Sequence, residues 1–186
     1  MTGADGRTVD FVLDGRPVSA PAGGSLLDAL REDLGVRSVK DGCSPQGQCG
    51  CCTVWVDGQP RVSCVTPVAR VAGRAVTTVD GLADTEAWAQ AFCDHGGSQC
   101  GFCTPGIIMR CAAMPPDKRN ADGVRQAMLA HLCRCTGWEP VLESALSVGG
   151  PPRRDRPPRE SSERRAALEG RVPQSVGPEV ASGAGG

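Results

Sequence analysis

The chain has 186 residues, 11 cysteines, a formal net charge of −1 at pH 7 and only 3% aromatic residues. The near-neutral charge excludes non-specific binding to nucleic acid or to an anionic membrane surface, because both need a clear basic excess. No apolar stretch is long enough to span a bilayer and no export signal opens the chain, so we expect a cytoplasmic protein. Cysteines stay reduced in the cytosol, so clustered cysteines favour metal binding over disulfides.

The N-terminal part of the sequence alternates between strand and turn patterns. Two hairpins are predicted, over 8–19 and 53–65, and each turns on an Asp-Gly pair. Between them, Ser25 and Asp28 form a capping box that opens a helix with leucines at helical spacing. A last strand over 75–79 completes a small α+β domain.

Residues 81–148 show helical periodicity, which predicts a second domain. Four short helices in about 65 residues would pack as a bundle. Thr104 is placed to cap the second helix, and Thr136 and Glu139 form a capping box for the fourth. The predicted helices cover 85–95, 104–114, 124–132 and 141–146.

Beyond Val148 the composition changes to Gly, Pro and Arg, which cannot bury enough apolar surface to become ordered. We therefore expect a disordered tail with at most a short helix over 161–168. Its arginines could contact an acidic partner, but a solvated extension is the simpler interpretation. The predicted organisation is α+β, with an α+β domain at 1–80, a helical domain at 81–148 and a tail at 149–186.

Four cysteines lie just before two of the predicted helices. Cys100 and Cys103 precede one helix, and Cys133 and Cys135 precede the other. A helix start presents unpaired N–H groups and the positive end of its dipole, which suits a compact anionic group with sulfur ligands. A 2Fe–2S cluster fits, since each iron takes two thiolates, and we expect the C-x2-C pair to bind one iron and the C-x-C pair the other. Tetrahedral zinc also accepts four thiolates, but the two helix starts and the Gly-rich polar surroundings favour iron–sulfur.

A second set, Cys43, Cys49, Cys52 and Cys64, has the spacing C-x5-C-x2-C-x11-C. It is close to the plant-type ferredoxin spacing C-x4-C-x2-C…C, with one extra residue between the first two cysteines. Using Cys51 in place of Cys52 would leave a one-residue gap after Cys49 and spoil this match. We therefore expect Cys52 to be the ligand.

The remaining cysteines, Cys51, Cys93 and Cys111, lie outside both sets, and we expect them to pack as small apolar side chains. His95 and His131 could be ligands, as histidines are in Rieske centres. Because eight cysteines are already in position, we expect both histidines to be structural or exposed. No nucleotide-binding loop, Ser–His–Asp set or carboxylate pair is present, so no catalytic residue is predicted.

Three stretches, GCSPQGQCGCCTVWVDGQPRVSC, QCGFCTPGIIM and HLCRCTGW, resemble the iron–sulfur subunit of molybdenum hydroxylases. This family includes relatives of xanthine dehydrogenase, aldehyde oxidoreductase and aerobic carbon monoxide dehydrogenase. The resemblance covers about residues 7–148. It implies a β-grasp, plant-type ferredoxin domain, then a four-helix-bundle domain, with one 2Fe–2S cluster in each.

The resemblance also implies an oxidoreductase subunit that relays electrons and has no catalytic residue of its own. Electrons would come from a molybdopterin cofactor in a large subunit, cross the helical-domain cluster and then the ferredoxin-domain cluster, and reach an FAD-binding medium subunit or another acceptor. In the family, the glutamine before the helical C-x2-C touches the pterin, and the last cysteine of C-x-C is both ligand and near neighbour of it. These positions are Gln99 and Cys135 here. The chain departs from the family in the longer Cys43–Cys49 spacing, a short 115–123 segment, and Trp138 where tyrosine is usual.

Two other functions are compatible with the same motifs. A self-standing ferredoxin-like carrier or redox sensor would use the same clusters without a large partner. A structural zinc-binding module would use the same thiols but would be colourless and redox-silent.

Overall fold

A computed structural model describes residues 6–150, 159–170 and 177–183. Five strands form one mixed sheet: β1 (Thr8–Leu13), β2 (Arg16–Pro21), β3 (Thr53–Val56), β4 (Gln59–Val62) and β5 (Ala75–Thr77). Their order in the sheet is β2-β1-β5-β3-β4. β1 is antiparallel to β2 and parallel to β5, whereas β3 is antiparallel to both β4 and β5. The arrangement is ferredoxin-like.

Both predicted hairpins are present. Each turns on its Asp-Gly pair with positive φ at both positions, beginning with Asp14 and Asp57 at 49°, as a type I′ turn requires. The second hairpin is shorter than predicted, because the chain leaves β4 at Val62 and forms the 3₁₀ turn Ser63–Val65. The last strand also ends early, at Thr77.

One short helix, α1 (Leu26–Asp28), continues as the π-helical turn Ala29–Asp33, and its leucines belong to the same buried core as Phe11 of β1. The predicted capping box at its start is confirmed. The Ser25 hydroxyl oxygen accepts a hydrogen bond from the Asp28 backbone N–H at 3.2 Å, and the Ser25 backbone N–H donates to the Asp28 carboxylate at 3.3 Å.

Four helices follow the sheet in the chain: α2 (Thr85–Asp94), α3 (Thr104–Ala112), α4 (Ala121–Ala127) and α5 (Trp138–Leu146). α2 packs against α5, and α4 contacts both α3 and α5. Trp88, Phe92 and Ile107 are fully buried at the centre of this second core. Within the residues that the structure describes, none of the helices is both long and apolar enough to cross a bilayer.

Two predicted helix caps are wrong, and in each case the hydroxyl has another polar partner. Thr104 lies inside the first turn of α3, and its hydroxyl donates to the Ser98 oxygen at 3.0 Å. The α5 helix begins after Gly137 rather than at the Thr136 capping box. Thr136 instead contacts the sulfur of Cys133.

The third helix is also shorter than its apolar pattern predicts. α4 ends at Ala127, and the chain continues as the 3₁₀ turn Met128–Ala130. Leu129 and Leu132 are therefore 84% and 61% exposed. These leucines do not extend the buried face of the helix, so their helical spacing wrongly predicted a helix that continues to residue 132.

Two segments of the predicted disordered tail are helical in the structure, and one of them departs from the prediction. α6 (Arg159–Leu168) covers the short helix that was predicted, and α7 (Pro178–Ala181) is an additional helix. α7 packs against α2 and buries Ala181 completely. The other parts of the predicted tail, 151–158, 171–176 and 184–186, lie outside the described residues.

Candidate metal centres

The first cysteine set lies where the sheet meets the helical part of the molecule. Cys43, Cys49 and Cys52 belong to the loop that connects α1 to β3, and Cys64 lies on the 3₁₀ turn after β4. Cys43 is half-buried and the other three are buried. The loop has no regular structure, and it turns at positive φ where glycine allows it, as at Gly47 (68°).

The thiols of this set form two pairs. The Cys43 thiol lies beside that of Cys49, and the Cys52 thiol lies beside that of Cys64. Backbone N–H groups also point at sulfur: that of Gln46 donates to Cys43 Sγ at 3.4 Å, and that of Cys64 donates to Cys52 Sγ at 3.5 Å. These N–H groups are the kind of donors that stabilise the sulfur ligands of an iron–sulfur cluster.

The pKa values of the thiols differ sharply within this set. Partial burial opposes ionisation of Cys43, yet backbone N–H groups of Gln48, Cys49 and Gln46 lower its pKa to about 7. Burial and the neighbouring Cys52 thiol raise the pKa of Cys64 to about 12. The half-buried end of the loop is therefore the end that already favours a thiolate.

The extra residue between Cys43 and Cys49 is accommodated in a local turn. Ser44 has a φ of 52°, and its backbone N–H donates to the Asp41 carboxylate at 2.9 Å. Asp and Ser at these positions are typical of such side-chain-stabilised turns. The longer spacing therefore leaves the Cys43–Cys49 pair intact.

The second set is built from two segments that are distant in sequence. Cys100 and Cys103 precede α3, and Cys133 and Cys135 lie between the 3₁₀ turn at 128–130 and α5. Cys103 is buried, Cys133 is half-buried, and Cys100 and Cys135 are exposed. This set reaches the surface of the described chain, whereas the first set is largely enclosed.

Thiol pairing in the second set runs across the two motifs. Cys135 Sγ lies 3.4 Å from Cys100 Sγ, and the Cys103 thiol lies beside that of Cys133. Spacing alone predicts that each motif binds its own iron, whereas the closest thiol contacts run between the motifs. The first cysteine of C-x2-C lies beside the last cysteine of C-x-C, and the last cysteine of C-x2-C lies beside the first cysteine of C-x-C.

Thr136 is the residue of this site that sequence reasoning missed. Its hydroxyl lies 3.0 Å from Cys133 Sγ and its backbone N–H donates to the same sulfur at 3.4 Å. Although burial opposes it, these contacts lower the pKa of Cys133, whereas burial raises the pKa of Cys103. A hydroxyl directly after a C-x-C motif was the available signal, but it also matched a helix cap.

The two cysteine sets are joined by close backbone contacts. The Leu132 N–H donates to the Cys49 carbonyl at 3.1 Å, which links the residue before Cys133 to the first set. Glycines make the approach possible: a Cβ on Gly106 would lie 2.2 Å from the Gly50 carbonyl oxygen. A side chain at Gly106 would push α3 away from the first loop, whereas a Cβ on Gly50 would lie 2.4 Å from the His131 ring.

The remaining sulfur and imidazole groups lie outside the two sets. Cys51, Cys93 and Cys111 are all buried, as expected for small apolar side chains. His131 is also buried, and burial together with Arg110 lowers its pKa to about 4, so the imidazole is neutral at pH 7. His95 lies 3.7 Å from the Glu143 carboxylate.

Each set of thiols fits a two-iron cluster. The thiols of each set lie in two neighbouring pairs. Two pairs suit a 2Fe–2S cluster, in which each iron takes two thiolates. Such a group supplies one-electron chemistry, so the arrangement can store and pass electrons. Gln99, beside Cys100, is exposed at the surface of the second set.

Two sequence families together cover both cysteine sets. Residues 6–81 match the family described as a 2Fe-2S iron-sulfur cluster binding domain, and residues 78–146 match the family described as a 2Fe-2S binding domain. The first range includes the first cysteine set and the second range includes the other. The chain therefore binds 2Fe–2S clusters.

Known relatives cover nearly the same range. The chain is 37% identical to the nicotinate dehydrogenase small FeS subunit of Eubacterium barkeri, over 70% of this chain and 87% of that one. It is 39% identical to the aldehyde oxidoreductase of Megalodesulfovibrio gigas over 66% of this chain, but it spans only 14% of that protein. The crystal structure of quinoline 2-oxidoreductase from Pseudomonas putida 86 contains a similar chain, with a TM-score of 0.71, 32% identity, and coverage of 89% of this chain and 98% of that one. The chain belongs to the family of 2Fe–2S iron–sulfur subunits of the molybdenum hydroxylases.

Proposed function

We propose that the chain relays electrons from a molybdopterin centre in a partner subunit to a second acceptor. The observation that best supports this is the relative placement of the two cysteine sets. The second set opens to the surface at Cys100 and Cys135, and the first set is joined to it through the Leu132–Cys49 hydrogen bond. A relay needs one centre accessible to its donor and a second centre in close contact with the first.

We assign the cluster ligands from the thiol pairs. Each pair would bind one iron, so that each set binds one 2Fe–2S cluster. The N–H groups and the Thr136 hydroxyl that contact sulfur would remain in place around the clusters and set their potentials. The proposed ligand pairs are Cys43 with Cys49, Cys52 with Cys64, Cys100 with Cys135, and Cys103 with Cys133.

The fold supports a two-domain description that is finer than the ferredoxin-like arrangement above. We propose that residues 1–80 form a β-grasp ferredoxin domain, since β1 and β5 pair in parallel at the centre of the sheet. We propose that residues 81–148 form a four-helix bundle from α2 to α5. The Trp55 indole N–H, which donates to the Met109 carbonyl at 2.7 Å, joins the sheet to α3.

Gln99 and Cys135 are the proposed contacts to the pterin of the partner subunit. Both are exposed, and both adjoin the surface pair Cys100–Cys135. The amide of Gln99 can donate and accept hydrogen bonds, as recognition of a pterin ring requires. Cys135 would bind iron and lie against the pterin at once, which makes it the entry point for electrons.

The partner surface is proposed to include the apolar side chains beside the second set. Leu132 precedes Cys133, and Trp138 follows Cys135; both are more than 40% exposed. We propose a molybdopterin-binding large subunit as the partner here and an FAD-binding medium subunit as the acceptor for the first cluster. We also propose a cytoplasmic location, since all 11 cysteines are free thiols.

Co-purification tests this proposal. The tagged full chain, expressed in its own host, should elute with a polypeptide that contains molybdenum and with bound FAD. The variant Leu132→Asp should lose the molybdenum-containing partner, because it places a charge in an apolar contact. Leu168→Asp on α6, where Leu168 is 84% exposed, is the matched control and should retain it. A chain that elutes alone with both clusters and no molybdenum would instead be a self-standing electron carrier.

A further inference from the structure

His131 lines a surface cavity beside the second cysteine set. The cavity has a volume of about 440 Å³ and lies between α4, α5 and the 3₁₀ turn at 128–130. Leu129, Leu132 and Trp138 also line it and are exposed, so the cavity opens to solvent. His131 itself is only 5% exposed and therefore forms part of the inner wall of the cavity.

The His131 ring also lies directly against the loop of the first set. A Cβ on Gly50 would overlap His131 Cδ2 and lie 2.6 Å from His131 Nε2. Gly50 follows Cys49 and precedes Cys52 by two residues, and both of these proposed ligands are buried. The ring therefore separates a cavity that is open to solvent from a loop that carries enclosed ligand sulfurs.

The main chain around His131 is held independently of its ring. The His131 backbone N–H donates to the Met128 carbonyl at 3.0 Å, and the Leu132 N–H donates to the Cys49 carbonyl at 3.1 Å. Among the described residues, neither nitrogen of the ring has a hydrogen-bond partner. Removal of the ring would therefore leave these backbone contacts in place and open a gap between the cavity and Gly50.

We propose that the His131 ring shields the cluster bound by the Cys43 set from the water of this cavity and so lowers the reduction potential of that cluster. Reduction adds one negative charge, and water stabilises that charge better than an enclosed protein site does. Solvent access is one of the means by which a protein sets the potential of a metal centre. The inference rests on the proposed ligand assignment and adds a residue that acts by excluding water rather than by binding iron.

Redox titration of the full chain, followed by electron paramagnetic resonance (EPR), tests the proposal. In His131→Ala, water should reach the loop of the first set through the gap. At a fixed potential, the reduced-to-oxidised ratio of the cluster assigned to the Cys43 set should rise about tenfold, which corresponds to about 59 mV for a one-electron couple. A hydrophilic chelator should also remove iron from that cluster faster. The cluster assigned to the Cys100 set, which already reaches the surface, should shift less.

Three further variants keep the result interpretable. His131→Phe keeps a ring at this position and should keep the wild-type potential. His131→Val leaves a narrower gap and should give a smaller shift in the same direction, and it serves in place of the alanine variant if that variant fails to retain the cluster. Leu142→Ala enlarges the same cavity from α5 but leaves the ring in place, so it should not shift the potential.

An unchanged or lower potential in His131→Ala and His131→Val would overturn the proposal. A rise in His131→Phe or in Leu142→Ala as large as in His131→Ala would overturn it as well, because the effect would then come from the polarity of the imidazole or from a general loosening of the cavity. The titration uses this chain alone, so its failure would overturn the shielding role, whereas the proposed relay is judged separately by co-purification.

Discussion

At the scale of single residues, each cysteine set contains sulfurs in two different environments. Cys43 and Cys133 accept hydrogen bonds that lower their pKa values, whereas burial raises the pKa values of Cys64 and Cys103. Each set therefore combines a sulfur that accepts hydrogen bonds with a sulfur that is more deeply buried. Donors to sulfur and burial are the protein's means of setting the potential of a bound cluster, so these side chains should contribute to the potential of each centre.

The ligand assignment predicts that Cys43→Ser and Cys100→Ser affect different clusters. Each substitution removes one thiolate from one set, so each should remove or alter one of two EPR signals of the reduced protein. Cys93→Ser, which changes a buried cysteine outside both sets, should alter neither. If both ligand variants lost the same signal, the division into two sets would be wrong.

Gln99→Ala should separate electron entry from cluster binding. Gln99 is exposed and its side chain is not in either thiol set, so both clusters should retain their iron content and EPR signals. Reduction of the clusters by substrate in the assembled enzyme should slow, by about tenfold if one hydrogen bond to the pterin is lost. Gln90→Ala, on α2, is the control. A loss of cluster content in Gln99→Ala would assign this residue to folding.

Sequence reasoning identified the two cysteine sets, but it could not foresee how their thiols pair. The spacing within C-x2-C and C-x-C gives no indication that Cys135 contacts Cys100, 35 residues away. Such a contact depends on how two loops dock, and no local pattern encodes it. Thr136 was misassigned for a related reason, because its hydroxyl satisfies either a helix cap or a sulfur and only the tertiary structure decides between them.

At the scale of elements, the start of α3 packs directly on the loop of the first set. The contact is backbone to backbone, with Gly106 against the Gly50 carbonyl. The Trp55 indole, which reaches from β3 to the Met109 carbonyl, holds the same helix further along its length. The distance between the two cysteine sets is therefore fixed, because α3 and the loop of the first set cannot move apart without breaking these contacts.

Gly106→Ala should disturb this junction. The added Cβ would lie 2.2 Å from a backbone oxygen that cannot rotate away, so we expect a loss of about 1–3 kcal/mol in the free energy of unfolding. Electron transfer between the clusters should also slow. Gly23→Ala is the control, since nothing lies within 4 Å of its added Cβ, and it should change stability by less than about 0.5 kcal/mol. Equal effects of the two substitutions in denaturant unfolding would argue against a tight junction.

The helices show where periodicity is a good guide and where it is not. α2 follows its predicted bounds to within one residue, because Trp88 and Phe92 lie on a single buried face. α4 does not, because Leu129 continues the apolar spacing but points to solvent at 84% exposure. Apolar residues at helical spacing are buried in the core of the chain itself only when they do not contact a partner protein. The proposed partner contact beside the second set is a surface of that kind.

At the scale of the whole molecule, the C-terminal segment ties the two halves together. α7 packs on α2, and a Cβ on Gly101 would lie 2.3 Å from the Val180 carbonyl oxygen. The Lys40 ammonium donates to the Gly183 carbonyl at 3.3 Å. The composition of the tail gave no signal for this docking, because the contacts depend on a few small residues rather than on an apolar run.

Cluster removal should destabilise the whole chain. Only 3% of the residues are aromatic, small cores depend on metal or disulfide cross-links, and ligand binding to the folded state contributes directly to folding. Chelation of iron from the reduced protein should therefore lower the thermal unfolding midpoint by about 10 °C or more. The same chelator added without reductant is the control. An unchanged midpoint after complete iron loss would show that the fold does not depend on the clusters.

The central claim is that two separate sets of four cysteines each bind a 2Fe–2S cluster, and EPR of the fully reduced chain combined with iron and sulfide analysis tests it most directly. The account predicts two distinct signals of equal intensity, with about four iron and about four acid-labile sulfide per chain. A single signal with half that content, or bound zinc without sulfide, would contradict it.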